Sequence, residues 1–115
     1  MHEYSIVQAL YDRVAAEAAA YRASSVHRVT VRIGEISGVD VGLLQTAWTT
    51  FRVRTCCEHA PLEVELVRAE WVCRSCGAGV PRGGVLVCPR CGAAAKLSRG
   101  DDIVLQRVEM EVGDV

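Results

Sequence analysis

Cys73-Arg74-Ser75-Cys76 and Cys88-Pro89-Arg90-Cys91 form two CxxC hooks with eleven residues between them, and no other feature restricts the fold as severely. Two residues between cysteines let both sulfurs project from one tight turn, so each hook supplies half of a tetrahedral shell. Two facing hooks complete a closed shell of four thiolates, the coordination of a structural Zn²⁺. Gly77 and Gly92 follow the hooks, and a positive φ there leaves backbone N–H groups aimed at the sulfurs. The stretch from Val80 through Gly83-Gly84 to Val87 is expected to form a hairpin with a Gly-Gly turn, bringing the second hook over the first. The segment is expected to be a zinc ribbon. Iron in the same all-sulfur shell is the main chemical competitor, and two disulfides or unpaired thiols are the less favoured readings of this spacing.

A chain of 115 residues is one small domain, or one domain with a satellite. Half of it is hydrophobic but only 5% is aromatic, so the core must rely on Val, Leu, Ile and Ala. A metal staple suits so short a chain, because metal-binding free energy becomes folding free energy when the unfolded chain has no site. Glu3, Asp12, Arg13, Glu17 and Arg22 interrupt residues 1–22, which argues against a signal peptide or a membrane span. Thiolate ligands point to a reducing, cytoplasmic location. The net charge of −1 hides a segregation: residues 71–100 hold Arg74, Arg82, Arg90, Lys96 and Arg99 and no acid. A zinc held by four thiolates is formally dianionic, so these cations partly compensate the metal site itself.

Hydrophobic periodicity changes along the chain. Ile6, Leu10 and Val14, with Val7, Tyr11 and Ala18, recur at helical intervals over 4–21, and Ser24-Ser25 is expected to end that helix. Residues 26–36 alternate, with Val29, Val31 and Ile33 on one face and Arg28, Thr30 and Arg32 on the other. A second helix is expected over 41–54, carrying Leu44, Ala47, Trp48 and Phe51 on one side. Strands are expected over 62–66 and 103–112. The fold class is therefore α+β: two helices packed on a three-stranded sheet, with an inserted four-cysteine zinc-ribbon subdomain. The expected division is a body of residues 1–69 and 101–115 and a ribbon of residues 70–100.

The N-terminus carries a second possible metal site. A lone terminal histidine is usually a solvated side chain, yet His2 has particular chemistry because it follows a retained Met1. The Met1 α-amine, the His2 backbone nitrogen and the His2 imidazole can close adjacent chelate rings. The Glu3 backbone nitrogen offers a fourth planar donor, and its carboxylate an oxygen. Nitrogen-rich tetragonal surroundings suit Ni(II) or Cu(II) better than zinc, and with copper favoured by raw affinity a nickel role rests on metal availability.

The start Met1-His2-Glu3-Tyr4-Ser5, the run Ile33-Gly34-Glu35-Ile36-Ser37-Gly38-Val39-Asp40 and the two hooks together resemble the HypA/HybF family of nickel metallochaperones for [NiFe]-hydrogenase maturation. The resemblance covers essentially the whole chain in order. It implies that His2 is the essential nickel ligand, with the Met1 amine and local backbone nitrogens completing the site and Glu3 contributing to it. Asp40 matches the position of an additional nickel ligand in some members, although an Asp directly before Val41 also suits the N-cap of the second helix. Cys73, Cys76, Cys88 and Cys91 would hold structural zinc. The implied partners are the nickel-inserting GTPase HypB and the hydrogenase large-subunit precursor, with urease maturation proteins for some members. No membrane and no nucleic acid is implied, and monomer and homodimer both stay open.

Other residues fit less directly. Cys56-Cys57-Glu58-His59 lies at the end of the second helix; adjacent cysteines do not readily ligate one ion, so small residues packed at a helix end is the favoured reading, with metal capture or redox sensitivity through one thiol and His59 as the alternative. His27 is expected to be an exposed strand residue, and Trp71 to pack between ribbon and body. The alternative function is a nucleic-acid-binding zinc ribbon, which the basic segment supports and the absence of interleaved aromatics opposes. The sequence carries no phosphate loop, Ser/His/Asp order or paired carboxylates, and a closed thiolate shell has no place for substrate, so no enzyme is expected.

Overall fold

Residues 2–113 are described by the computed structural model, His2 by its backbone alone. The elements run α1 (His2–Ala20), β1 (Ala23–Gly34), α2 (Val41–Phe51), β2 (Leu62–Val67), β3 (Glu70–Cys73), β4 (Gly79–Val80), β5 (Ala95–Arg99) and β6 (Ile103–Val112). They form two three-stranded sheets, ordered β2-β1-β6 and β4-β3-β5. The chain divides into two compact units. One comprises the described residues up to Arg32, Val39–Glu65 and those from Val104; the other comprises Ile33–Gly38 and Leu66–Ile103.

The first unit is built on a crossover. Val29 N donates to Pro61 O at 3.1 Å, and Arg28 and Arg32 of β1 pair with Glu63 and Glu65 of β2. Partner numbers rise together, so β1 and β2 run parallel and α2 is the crossover that parallel neighbours require. Opposite β6 the numbers run against each other: His27 meets Glu111, Arg28 meets Glu109 and Arg32 meets Gln106. That pair is antiparallel. These cross-strand partners occupy one wet face, where each exposed ion pair contributes under about 1 kcal/mol.

The opposite face is dry. Val7, Leu10, Val14 and Ala18 of α1 are buried, as are Leu44 and Trp48 of α2, Val26, Val29 and Val31 of β1, and Leu62. Ile6 and Tyr11, expected in the same stripe, are only partly buried. Trp48 is 1% exposed, and its indole N–H donates to Ala60 O at 2.9 Å. Arg52 reaches the same carbonyl at 2.7 Å, while Gln45 donates to Leu62 O at 2.7 Å. These bonds fold the segment after α2 back onto its helix, with Cys57 and Ala60 fully buried beneath it.

Three expectations are corrected. The first helix, expected over 4–21, spans His2–Ala20, but Ser24-Ser25 does not end it: Arg22 adopts φ 54° and turns the chain, and both serines lie in β1. The second helix stops at Phe51 rather than at 54, followed by turns through which Arg54 takes φ 63°. Alternation in β1 also slips, because His27 and Arg28 are both exposed between buried Val26 and Val29.

Removing the Trp48 side chain deletes the largest fully buried residue and takes away one of the two donors to the Ala60 carbonyl, leaving Arg52. Trp48→Ala is expected to destabilise the first unit by about 3–5 kcal/mol, read as a lowered denaturation midpoint followed by helical ellipticity.

Candidate metal centre

The second unit is organised by its two hooks. β3 pairs antiparallel with β4, Trp71 opposite Val80 and Val72 opposite Gly79, and also with β5, Cys73 opposite Ala95. The first hook is therefore the turn of the β3–β4 hairpin. The second lies inside the Val87–Ala94 bridge. The hairpin expected over residues 80–87 is not formed: each hook already reverses the chain, and 82–84 make a turn in the loop joining them. Both reversals depend on glycine, Gly77 at φ 76° and Gly92 at φ 77°, in the left-handed region that other residues avoid.

The hooks repeat each other bond for bond. Cys73 N donates to Ala78 O and Gly77 N to Cys73 O, matched by Cys88 N to Ala93 O and Gly92 N to Cys88 O. Ser75 N and Cys76 N each lie 3.3 Å from Cys73 Sγ, and Arg90 N lies 3.4 Å from Cys88 Sγ. All four sulfurs, from Cys73, Cys76, Cys88 and Cys91, lie within 4.8 Å of one another. Among the described residues this is the single group of three or more Cys, His, Asp or Glu donors at metal-ligating separation. Cys73 and Cys88 are buried and the other two exposed. Trp71, Ala78, Leu86, Ala93 and Ala95 pack against Cys73, Val80 and Cys88.

Electrostatics divides the sulfurs. The Cys76 N–H, then the Ser75 N–H and the Cys91 and Cys76 thiols, lower the Cys73 thiol to about 6. The N–H groups of Cys91 and Arg90 lower Cys88. Cys91 receives the Ala93 N–H, yet proton sharing with Cys73, burial and the remaining sulfurs outweigh it and push it up to about 12. Four thiolates at this separation repel, and a divalent cation removes the conflict by accepting all four. The donor set fits a tetrahedral S₄ metal such as zinc or iron.

An ion pair invisible in the sequence pattern braces the same unit. Arg82, from the loop between the hooks, forms a fork with Glu35: Nη1 to Oε1 at 2.8 Å and Nη2 to Oε2 at 2.6 Å. Glu35 Oε1 also accepts from Ala69 N at 2.8 Å, and Arg82 Nη1 donates to Ala69 O at 3.1 Å. The Arg82 guanidinium, then the Ala69 N–H, hold the Glu35 carboxyl at about 2 against an ordinary 4.5. Its folded pKa is depressed, so the associated stability is present above pH 4.5 and is lost as pH falls through about 2. The residues lie 47 positions apart, so only the motif containing Glu35 could have flagged one of them.

At the other candidate site the structure brings Glu3 and Asp40 together. Glu3 Oε2 accepts from Asp40 N at 3.2 Å. Asp40 Oδ1 in turn accepts from Leu43 N at 3.0 Å, making it the N-cap of α2. Met1 and the His2 side chain lie outside the described residues. Of the remaining cluster, Cys57 is fully buried and Cys56 partly so. Burial, then the neighbouring Cys56, pushes the Cys57 thiol up to about 12, as a packed thiol requires. His27 is exposed, as expected. Trp71 packs on the ribbon's own cysteine cluster.

Residues 1–110 match the family described as hydrogenase/urease nickel incorporation metallochaperone, HypA. The chain belongs to the HypA family. It is 36% identical to hydrogenase maturation factor HypA of Shewanella baltica (strain OS185) over 96% of this chain and 97% of that one. The corresponding factor of Aquifex aeolicus is 37% identical over 97% and 99% of the two chains. The solution structure of the Ni metallochaperone HypA from Helicobacter pylori superposes with TM-score 0.73 and 29% identity, covering 96% of this chain and 98% of that one. A second HypA solution structure gives TM-score 0.80 at 30% identity, covering 98% of each chain. The HypA family's role is nickel incorporation into hydrogenase and urease, the work of a maturation factor. No described helix is long and apolar enough to cross a membrane.

Two outcomes follow for the second unit. Stripping metal with a chelator at neutral pH is expected to unprotect amides of β3, β4 and β5 while helical ellipticity persists, read by hydrogen exchange and circular dichroism. Arg82→Gln is expected to speed exchange of the Ala69 amide without affecting the amides of α1.

Proposed function

We propose that this HypA family member binds Ni(II) at its N-terminus and delivers it during [NiFe]-hydrogenase maturation, working in the cytoplasm. The proposed ligands are the Met1 amine, the His2 imidazole and local backbone nitrogens, with oxygen from Glu3 and Asp40. The observation that carries this reading is the Glu3–Asp40 contact at 3.2 Å. Two candidate ligands 37 positions apart meet at the start of α1, a coincidence that the sequence alone does not require. A second feature supports it. α1 begins at His2, so the His2 and Glu3 amides fall in the first turn, where N–H groups have no intrahelical acceptor. Those nitrogens can be deprotonated for a planar ion without breaking the helix.

The four hook cysteines are proposed to hold structural Zn²⁺ in a ribbon of residues 70–100, on a nickel-binding body of residues 1–69 and 101–115. Zinc matches a closed S₄ shell with no redox demand. The proposed recipients are the GTPase HypB and the hydrogenase large-subunit precursor, with urease maturation proteins as a second route. A terminal chelate open to solvent can release its ion by stepwise ligand exchange with such a partner.

His2→Ala is expected to abolish tight one-to-one nickel binding in calorimetric titration while zinc stays at one per chain. Extra residues before Met1 should do the same by removing the free amine. Nickel binding that survives both changes would move the site elsewhere.

A further inference from the structure

Outside the two candidate sites, one cavity gathers nitrogen and sulfur donors. A hollow of about 220 Å³ in the first unit is lined by His27, Cys56, Glu58 and His59, together with Ser24 and Thr55. Val26 N donates to Cys56 O at 3.0 Å, which fixes the loop after α2 beside the start of β1. The loop is tightly braced. Thr55 Oγ1 donates to Arg52 O at 2.6 Å and accepts from Cys57 N at 3.1 Å, while Glu58 Oε2 accepts from Arg54 N at 2.9 Å. The buried Cys57 anchors it from below.

One imidazole has a carboxylate within hydrogen-bond reach, and the other has one just beyond it. His27 Nε2 lies 3.1 Å from Glu111 Oε2, and His59 Nε2 lies 3.6 Å from Glu58 Oε1. At His27 the carboxylate favours the proton on Nε2 and leaves Nδ1 as the lone-pair nitrogen, the arrangement that orients histidines toward metals. Cys56 supplies the more accessible sulfur, since Cys57 is fully buried. These donors are not within ligating distance of one another, but the His59 side chain is 90% exposed, so it can rotate inward while His27 keeps its Glu111 contact.

We propose that Cys56, His27 and His59 form an additional site for a borderline divalent ion of the zinc, cobalt and nickel series. The Cys56 thiolate, His27 Nδ1 and one ring nitrogen of His59 bind it, with water in the fourth position and one thiol proton released to solvent. A mixed set of two nitrogens and one sulfur with an open position suits an exchangeable ion.

Cobalt(II) tests this directly on the full chain with its hooks loaded with zinc. The expected result is one additional equivalent of tetrahedral cobalt carrying a thiolate-to-cobalt charge-transfer band in the ultraviolet. The N-terminal donors include no thiolate, so they cannot produce that band. Cys56→Ser should abolish it, and His59→Gln, a change on an exposed side chain, should weaken cobalt binding about tenfold or more, with Glu111→Ala weakening it about tenfold. Zinc content should stay constant throughout. A band that persists in Cys56→Ser, that is indifferent to His59→Gln, that appears only as zinc leaves, or that never appears overturns the proposal.

Discussion

Mutual repulsion among four sulfurs is the constraint on which the second unit depends. Cys73, Cys76, Cys88 and Cys91 share a shell 4.8 Å across, and every backbone N–H aimed into it favours a thiolate. Without a cation these demands conflict, and the strain shows as a low Cys73 beside a high Cys91. With one, each hook becomes a rigid turn and the short strands β3, β4 and β5 acquire a common anchor. β4 has only two residues, far too little to hold a hairpin unaided. Metal and fold are one equilibrium here, and the Glu35–Arg82 fork adds orientation to the loop between the hooks.

The first unit meets a different constraint, set by topology. β1 and β2 run parallel, so the chain must cross between them, and α2 does so from an N-cap at Asp40. That requirement places Asp40 beside the opening turn of α1, where Glu3 accepts its N–H. The contact between two distant acidic residues is thus a by-product of the crossover. The segment returning from α2 to β2 is equally constrained: Trp48, Arg52 and Gln45 bind its carbonyls, and the same bracing holds Cys56 next to His27.

What could be read from the chain beforehand was whatever depended on local periodicity or spacing. Val29, Val31 and Ile33 alternate as a strand must, and the hooks specify their own shell. Asp40 was legible as a cap because capping is a contact over three residues. Ser24 and Ser25 misled because serine has a lower helix propensity than the alanines before it, whereas here Arg22 in the left-handed region ends α1 first. Gly83-Gly84 misled for a related reason: a turn sequence does not require that its flanks pair, and here Val80 pairs with Trp71 and Val87 with Ala94 instead. Glu35–Arg82 and Glu3–Asp40 lay beyond reach because nothing local in either partner encodes the other.

Donor chemistry also separates the two units along the chain. The second unit concentrates thiolates in a closed shell, which retains a metal, while the first offers nitrogen and oxygen at the proposed nickel site. That site is electrostatically reluctant. The N-termini of α1 and α2 carry positive partial charge, and the Glu3 and Asp40 carboxylates nearest them already accept N–H groups. A divalent ion arriving there must draw on carboxylates in use and oppose two helix dipoles. On the proposed ligation, binding would come chiefly from amine, imidazole and amide nitrogens and would be weaker than in an unopposed chelate. A carrier gains from that opposition: a partner that supplies ligands without competing helix ends can take the ion, whereas four thiolates with no open position would have kept it.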